Sequence, residues 1–186
     1  MKRVLFSSAA ALLGATLLAG CGGGAPFVGG DDRPTRPVDS NLISQSYEAA
    51  EALLGQAEYL RDTQQPLLMA TFVDINALET SSSLGRMIAE QVASRFVQLG
   101  FAVKEMKLRE SIFIVQNGGE FALSRSILDI SQSHDAAAVI AGTYAIGRNS
   151  VFINARLVRA IDGRVLAAYD YTLPLGPDTR ALVASQ

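Results

Sequence analysis

Few side chains in this 186-residue sequence stand where they could do chemistry. Cys21 is the single cysteine, His134 the single histidine, and there is no tryptophan. A lone thiol closes no intramolecular disulfide and brings no second sulfur to a metal. What it can do is attack, since a thiol is a good nucleophile for alkylation. A Ser-His-Asp triad would have to use His134, and one histidine is thin material for zinc. His134-Asp135 falls at the carboxyl end of a predicted helix, where the dipole favours a histidine as a surface or capping group. Glu105, Glu110 and Glu120 are scattered and form no carboxylate pair. Asp74 closes a predicted buried strand, a common position for a catalytic group in an α/β sheet. Beside Asn76, it reads first as a turn-maker. Asp31-Asp32 lies among glycines and prolines and reads as solvated. Arg148, Arg156 and Arg159 read as the polar face of a terminal hairpin; an acidic partner surface or peptidoglycan is the weaker alternative. There is no P-loop signature and no GxGxxG, HExxH or GxSxG motif. The expectation is a protein that is not an enzyme, holds no cofactor or metal, and works by binding or assembly.

Cys21 takes its meaning from what precedes it. Met1-Lys2-Arg3 is a short basic start, and Val4 to Leu18 is an uncharged, mostly apolar stretch closed by small residues. That is the layout of a secretory signal peptide. It is short for a membrane span, which takes about 20 apolar residues. Leu18-Ala19-Gly20-Cys21 resembles a bacterial lipobox, which implies cleavage before Cys21 and lipid (palmitate among it) on the thiol. Acyl chains contribute roughly 0.8 kcal/mol per buried CH₂, so two or more make a stable anchor. Gly22 stands where an aspartate would resemble an inner-membrane retention signal, which favours the outer membrane.

The elements that follow must hang from that anchor. Removing 1–20 takes away Lys2 and Arg3 and leaves 14 basic against 18 acidic residues, a net charge of −4. Such a chain is a poor nucleic-acid binder, because that affinity rests on neutralising phosphates. Residues 21–41 carry glycine, proline, aspartate and arginine without any period and read as a flexible tether. Residues 42–175 carry the folded domain, and 176–186 a tail that is irregular or a short helix.

Within the domain, Tyr47, Ala50, Leu53, Leu54, Ala57 and Leu60 have helical spacing, predicting a helix over 44–62 capped by Ser44 or Ser46. Residues 66–75, PLLMATFVDI, predict one central strand. Ser82 or Ser83 caps a second helix with the stripe Leu84, Ile88, Val92, Phe96 and Leu99, ended by Gly100. FAVKEMK is a strand, ESIFIVQ another. Asn117-Gly118-Gly119 reads as a link from that strand to a third helix, 120–134, with Leu123, Ile127 and Ile130 on one face; the weaker alternative is that ESIFIVQNGGEFAL forms one short hairpin. DAAAVIAGTYAIG, VFINARLVRA and RVLAAYDYTLP are three more strands. Together these predict an α/β class: a single layered domain, a mixed β-sheet packed by about three helices, ending in a β-hairpin.

The register of that hairpin follows from its alternation. Only pairing Ile153 with Tyr171, Asn154 with Asp170 and Ala155 with Tyr169 keeps each apolar set on one face. This predicts a three-residue loop, Ile161 to Gly163, with Asp162-Gly163 forming the turn and Gly163 at positive φ.

The order of PLLMATFVDI, LGRMIAEQVASRFVQLGFAVKEMKLRES, a helix, and HDAAAVIAGTYAIGRNSVFINARLVRAIDGRVLAAYDY resembles the FlgO family of outer-membrane flagellar lipoproteins over 42–175. Gly142, Thr143, Ala155, Arg156, Leu157, Asp162 and Gly163 carry its most specific part. More distantly, it is similar to the periplasmic domain of the curli-secretion pore lipoprotein. The resemblance implies a periplasm-facing, lipid-anchored protein with a structural or assembly role in the flagellum. Its implied partners are the outer membrane, basal-body or other envelope proteins, and further copies of itself. The alternatives are an envelope-binding module for peptidoglycan or a periplasmic protein, and a component of a curli-type pore. The pore is disfavoured, because membrane strands of about 9–11 residues each have no room here.

Overall fold

The computed structural model describes residues 37–106, 113–115, 121–123 and 125–185, all within one compact unit, Thr35–Gln186. In chain order the elements are α1 (Leu42–Gln56), a 3-10 turn (Glu58–Leu60), β1 (Leu67–Met69), β2 (Val73–Asp74), α2 (Ser83–Gln98) and β3 (Val103–Glu105). Then come β4 (Phe113–Val115), β5 (Phe121–Leu123), α3 (Arg125–Ser133), β6 (Ala138–Ile146), β7 (Ser150–Arg159), β8 (Val165–Pro174) and α4 (Pro177–Ala184).

The main sheet runs β3-β1-β6-β7-β8, with β2 also paired to β6. β1 is parallel to β3 and β6, whereas β6, β7 and β8 form an antiparallel meander. The mixed α/β sheet is therefore the one expected. One face carries the larger core: Leu53 and Leu60 from the α1 region, Leu84, Ile88, Val92 and Phe96 from α2, and Ile140, Ile153 and Leu157 from the strands. Each such side chain contributes about 1.5–3 kcal/mol on leaving water. The opposite face has a smaller cluster of Leu68, Val139, Ala141 and Val158, against which Ile130 of α3, Leu78 and Met106 pack.

Several expectations need correction. α1 begins at Leu42, and its cap is Asn41, whose Oδ1 accepts from Ser44 N at 3.1 Å. Leu42 packs against the core, which draws the helix two residues earlier. Ser46 instead is buried and donates to Gln91 Oε1 at 2.8 Å. The helix stops at Gln56 rather than 62, and the 3-10 turn then buries Leu60.

The strand predicted over 66–75 is two strands. From Met69 to Val73 the chain takes four steps while its partner takes three, from Ile140 to Thr143. The extra residue is a bulge at which Phe72 turns inward. The Phe72 ring covers Gly142, where an added Cβ would lie 2.1 Å from Cε1. The Phe72 carbonyl leaves the ladder and accepts from Ser81 Oγ at 2.7 Å.

The reading of Asn117-Gly118-Gly119 as a strand-to-helix link is also overturned. β4 and β5 pair antiparallel in a separate two-stranded sheet, with Ile114 opposite Ala122, and α3 starts only at Arg125. Leu123 ends β5 opposite Phe113, so its helical spacing with Ile127 is cut before α3 begins. Residues 117–119 themselves lie outside the described residues.

α2 follows expectation more closely. Ser82 Oγ accepts from Gly85 N, and Gly100 ends the helix at φ +94°. Leu84, Ile88, Val92 and Phe96 are buried, whereas Leu99 is 37% exposed. The tail takes its helical alternative as α4.

Candidate functional surface

Arg156 and Arg159, among the polar residues singled out in the sequence, lie on the β7–β8 hairpin. Its ladder pairs Ile153 with Tyr171, Asn154 with Asp170 and Ala155 with Tyr169, as the alternation requires. Gly163 has φ +71°. The loop is one residue longer than expected. Arg159 N donates to Arg164 O and Gly163 N to Arg159 O, so four residues, 160–163, make the turn. Ala160 N is held by Ala137 O of the β6 approach at 3.1 Å and so cannot close the shorter loop. A register shift beyond Leu157, with Leu166 as the extra residue on β8, absorbs the difference.

Asp162 organises the turn. Its Oδ1 accepts from Arg159 Nε at 2.9 Å and from Arg164 N at 3.2 Å. The Arg159 hydrogen bond, aided by the Arg164 amide, holds its carboxyl down at about 2. The same bond raises Arg159 above the ordinary arginine value. The Arg159 guanidinium also lies 5.9 Å from the Tyr59 ring centre.

The hairpin has two faces of different character. Val151, Ile153, Ala155, Leu157, Ala167 and Leu173 point into the main core. Phe152, Asn154 and Arg156 of β7 and Ala168, Asp170 and Thr172 of β8 lie on the other. Phe152 is 52% exposed, and Asn154 Nδ2 donates to Asp170 Oδ1 at 3.0 Å. α3 packs at the smaller cluster around Val139 and Val158, so it leaves this outer end of the sheet open.

β8 is also the last strand of the sheet and would present a ten-residue row of backbone groups. Such an edge is a template for another strand. Gln56, at the end of α1, occupies part of it. Its Nε2 donates to Ala168 O at 2.9 Å, and its Oε1 accepts from Ala168 N at 3.3 Å. One side-chain amide thus does locally what a neighbouring strand would do. Tyr169 is tied back to α1 by donating to Glu48 Oε1 at 2.9 Å, a bond that also raises its pKa.

The other candidates are dispersed. Asp74 makes its turn: its Oδ1 accepts from Asn76 N at 2.8 Å. His134 ends α3 through its N–H to Ile130 O, and Asp135 follows at φ +49°, accepting from Gln65 Nε2 at 2.7 Å. Glu105 lines a separate recess with Met69, Thr71, Arg86, Glu90 and Met106, of about 150 Å³. Among the described residues no three metal-binding side chains cluster. Leu18, Ala19, Gly20, Cys21, Asp31, Asp32, Glu110 and Glu120 lie outside the described residues. Gln56 is the functional candidate that sequence reasoning missed; no local signal links it to a strand 112 residues away.

The family model for the FlgO protein matches residues 47–178. The chain belongs to the FlgO family. The match runs from within α1 to the start of α4 and so includes Gln56, the bulge at Phe72 and the whole β7–β8 hairpin. No curated protein matches it in sequence. Among solved structures, the LpoB C-terminal domain from Salmonella enterica has 11% identity and a TM-score of 0.50, covering 72% of this chain and 98% of that one. A PelC dodecamer from Paraburkholderia phytofirmans has 13% identity and a TM-score of 0.43, covering 59% and 72%. A lipoprotein of Neisseria meningitidis has 18% identity and a TM-score of 0.40, covering 62% and 84%. At 11% identity, the first likeness is one of fold.

Proposed function

We propose that this FlgO-family chain is an outer-membrane lipoprotein, anchored through Cys21, with a structural or assembly role in the flagellum. The observation that carries the reading is the family match over 47–178 together with the lipobox Leu18-Ala19-Gly20-Cys21 directly upstream of a breaker-rich stretch. The domain plan that goes with it is a signal over 1–20, a lipidated tether over 21–41, the folded domain over 42–175 and a C-terminal tail over 176–186. Among the described residues no helix is long and apolar enough to cross a membrane.

The open β7–β8 face and the β8 edge are the surfaces offered to an assembly partner. The face combines one large apolar side chain, Phe152, with hydrogen-bonding and charged groups at Asn154, Arg156 and Asp170. That mixture suits a protein partner with a small apolar centre and a polar rim. The test is a deletion strain complemented with Cys21→Ser or with Phe152→Asp. Loss of swimming in the deletion, with failure of both variants to restore it, supports the reading. Normal swimming in the deletion strain contradicts the flagellar role.

A further inference from the structure

We propose that the recess between the carboxyl ends of β1 and β3 binds the head of an α-amino acid, a small group carrying an ammonium and a carboxylate side by side. Chain order places the recess. β1 lies between β3 and β6 and is parallel to both. From β1 the chain passes through β2 and α2 to β3, and from β3 it returns through the β4–β5 pair and α3 to β6. α2 packs on the face of the larger core, and α3, through Ile130, on the opposite face. The connections leaving β1 and β3 therefore part to opposite sides of the sheet. Such a parting opens a crevice at the carboxyl ends of the two strands, the usual ligand position in open α/β sheets. The recess of about 150 Å³ stands there, lined by Met69 and Thr71 from the end of β1, Glu105 and Met106 from the end of β3, and Arg86 and Glu90 of α2.

Its floor and rim differ in character. Met69 and Ala89 are buried and Met106 is half-buried, so the floor is apolar. Met69 and Glu105 are direct partners in the parallel ladder, and the side chains of such a pair leave the sheet on one face, here the face of α2. Arg86, Ala89 and Glu90 stand at i, i+3 and i+4 and share one side of that helix. The rim thus carries one guanidinium and two carboxylates, all on exposed residues. Opposite charges one helical turn apart commonly pair. Arg86 is instead drawn back toward the start of α2, where Nη1 donates to Ser81 O at 3.1 Å and Nη2 to Ser83 Oγ at 2.9 Å. The Glu90 and Glu105 carboxylates have no hydrogen-bond or ion-pair partner among the described residues. An incoming carboxylate can take the remaining N–H donors of Arg86, and an ammonium beside it can bridge the two glutamates. A lone cation would leave Arg86 facing a like charge, and a lone anion would face Glu90 and Glu105; a group with both charges suits all three. A volume of about 150 Å³ takes a molecule of about benzene's size, which admits an amino-acid head and excludes a nucleotide. The head is the same whether the amino acid is free or hangs on a longer stem from a larger molecule. Such binding depends neither on the lipid anchor nor on a flagellar role.

The test is two-dimensional amide NMR of the full mature chain, titrated with alanine of either hand, alaninamide, N-acetylalanine and Nε-acetyllysine. Alanine or Nε-acetyllysine is expected to shift the Thr71, Ala89 and Glu90 amides saturably, with β7 and β8 unmoved. Alaninamide lacks the carboxylate and N-acetylalanine lacks the ammonium, so each should bind roughly tenfold more weakly, or worse. Glu90→Gln and Glu105→Gln, on exposed side chains that hold nothing in the fold, should weaken binding to a similar degree. Arg86→Gln should abolish the preference for alanine over alaninamide. Nε-acetyllysine binding at least as well as alanine assigns the head to a larger molecule, whereas binding of alanine alone assigns it to a free amino acid. No saturable shift at about 50 mM of either, well above the range expected for so small a ligand, overturns the proposal. So does alaninamide or N-acetylalanine binding as tightly as alanine, or an affinity unchanged in both glutamate variants.

Discussion

Gly142→Ala is the substitution that most sharply probes how this sheet is built. The new Cβ would lie 2.1 and 2.3 Å from Cε1 and Cδ1 of Phe72 and 2.7 Å from the Asn154 carbonyl oxygen. Contacts that short force movement. The oxygen belongs to the β7 ladder, so the ring must yield. Phe72 is fully buried, and its carbonyl is pinned by Ser81 Oγ. Its oxygen also sits where a Cβ on Gly85 of α2 would fall, at 2.2 Å, so a shift of the bulge is passed to α2. Overpacking of this kind costs about 1–3 kcal/mol. For a domain of this size, each kcal/mol moves Tm by about 2–4 °C, so a fall of about 4–8 °C is expected for 2 kcal/mol. The assay is thermal and urea unfolding of wild type, Gly142→Ala, Phe72→Leu and the double variant. Phe72→Leu alone leaves a hole and destabilises. In the Gly142→Ala background it makes room, so the two costs should fall short of additive by about 1 kcal/mol or more. Strict additivity, or an unchanged Tm for Gly142→Ala, would refute the packing of Phe72 on Gly142.

Other expectations are simpler to state. Asp162 has its folded pKa depressed to about 2 from 3.8, so its stabilisation is present above pH 3.8 and is lost as pH falls toward 2. The Tm gap between wild type and Asp162→Asn should therefore close across that window; a constant gap speaks against the Arg159–Asp162 bond. Gln56→Ala removes both contacts to the β8 edge and should cost about 1 kcal/mol, with several-fold faster exchange of the Ala168 amide as the specific readout. Cys21→Ser should move the protein from the membrane to the soluble fraction on cell fractionation, and retention in the membrane would remove the lipid anchor from consideration.

Local patterns made much of this fold legible, and contacts distant in sequence made the rest illegible. The β7–β8 register is written in the alternation of Ile153, Ala155 and Leu157 against Tyr171, Tyr169 and Ala167, because a one-residue slip would turn every apolar group to solvent. Ser82 and Gly100 mark the ends of α2 by cap chemistry alone. The bulge between β1 and β2 is different, since it depends on Gly142 leaving room for Phe72 some 70 residues away. The four-residue turn depends on Ala160 being held by Ala137, which no pattern within the hairpin reveals. The same holds for the candidate surface. Asn154 and Asp170 could be paired from the sequence, but Gln56 on the β8 edge joins residues about 110 apart. The β4–β5 hairpin was the weaker of two readings for a local reason: Leu123, Ile127 and Ile130 mimic a helical stripe.

The central claim, a lipid-anchored protein built into the flagellum, is tested most directly by mass spectrometry of purified basal bodies with outer-membrane fragments attached. Enrichment of this chain alongside the ring proteins, relative to bulk outer membrane, is the expected result. Even distribution through the outer membrane, with no enrichment at basal bodies, would contradict it.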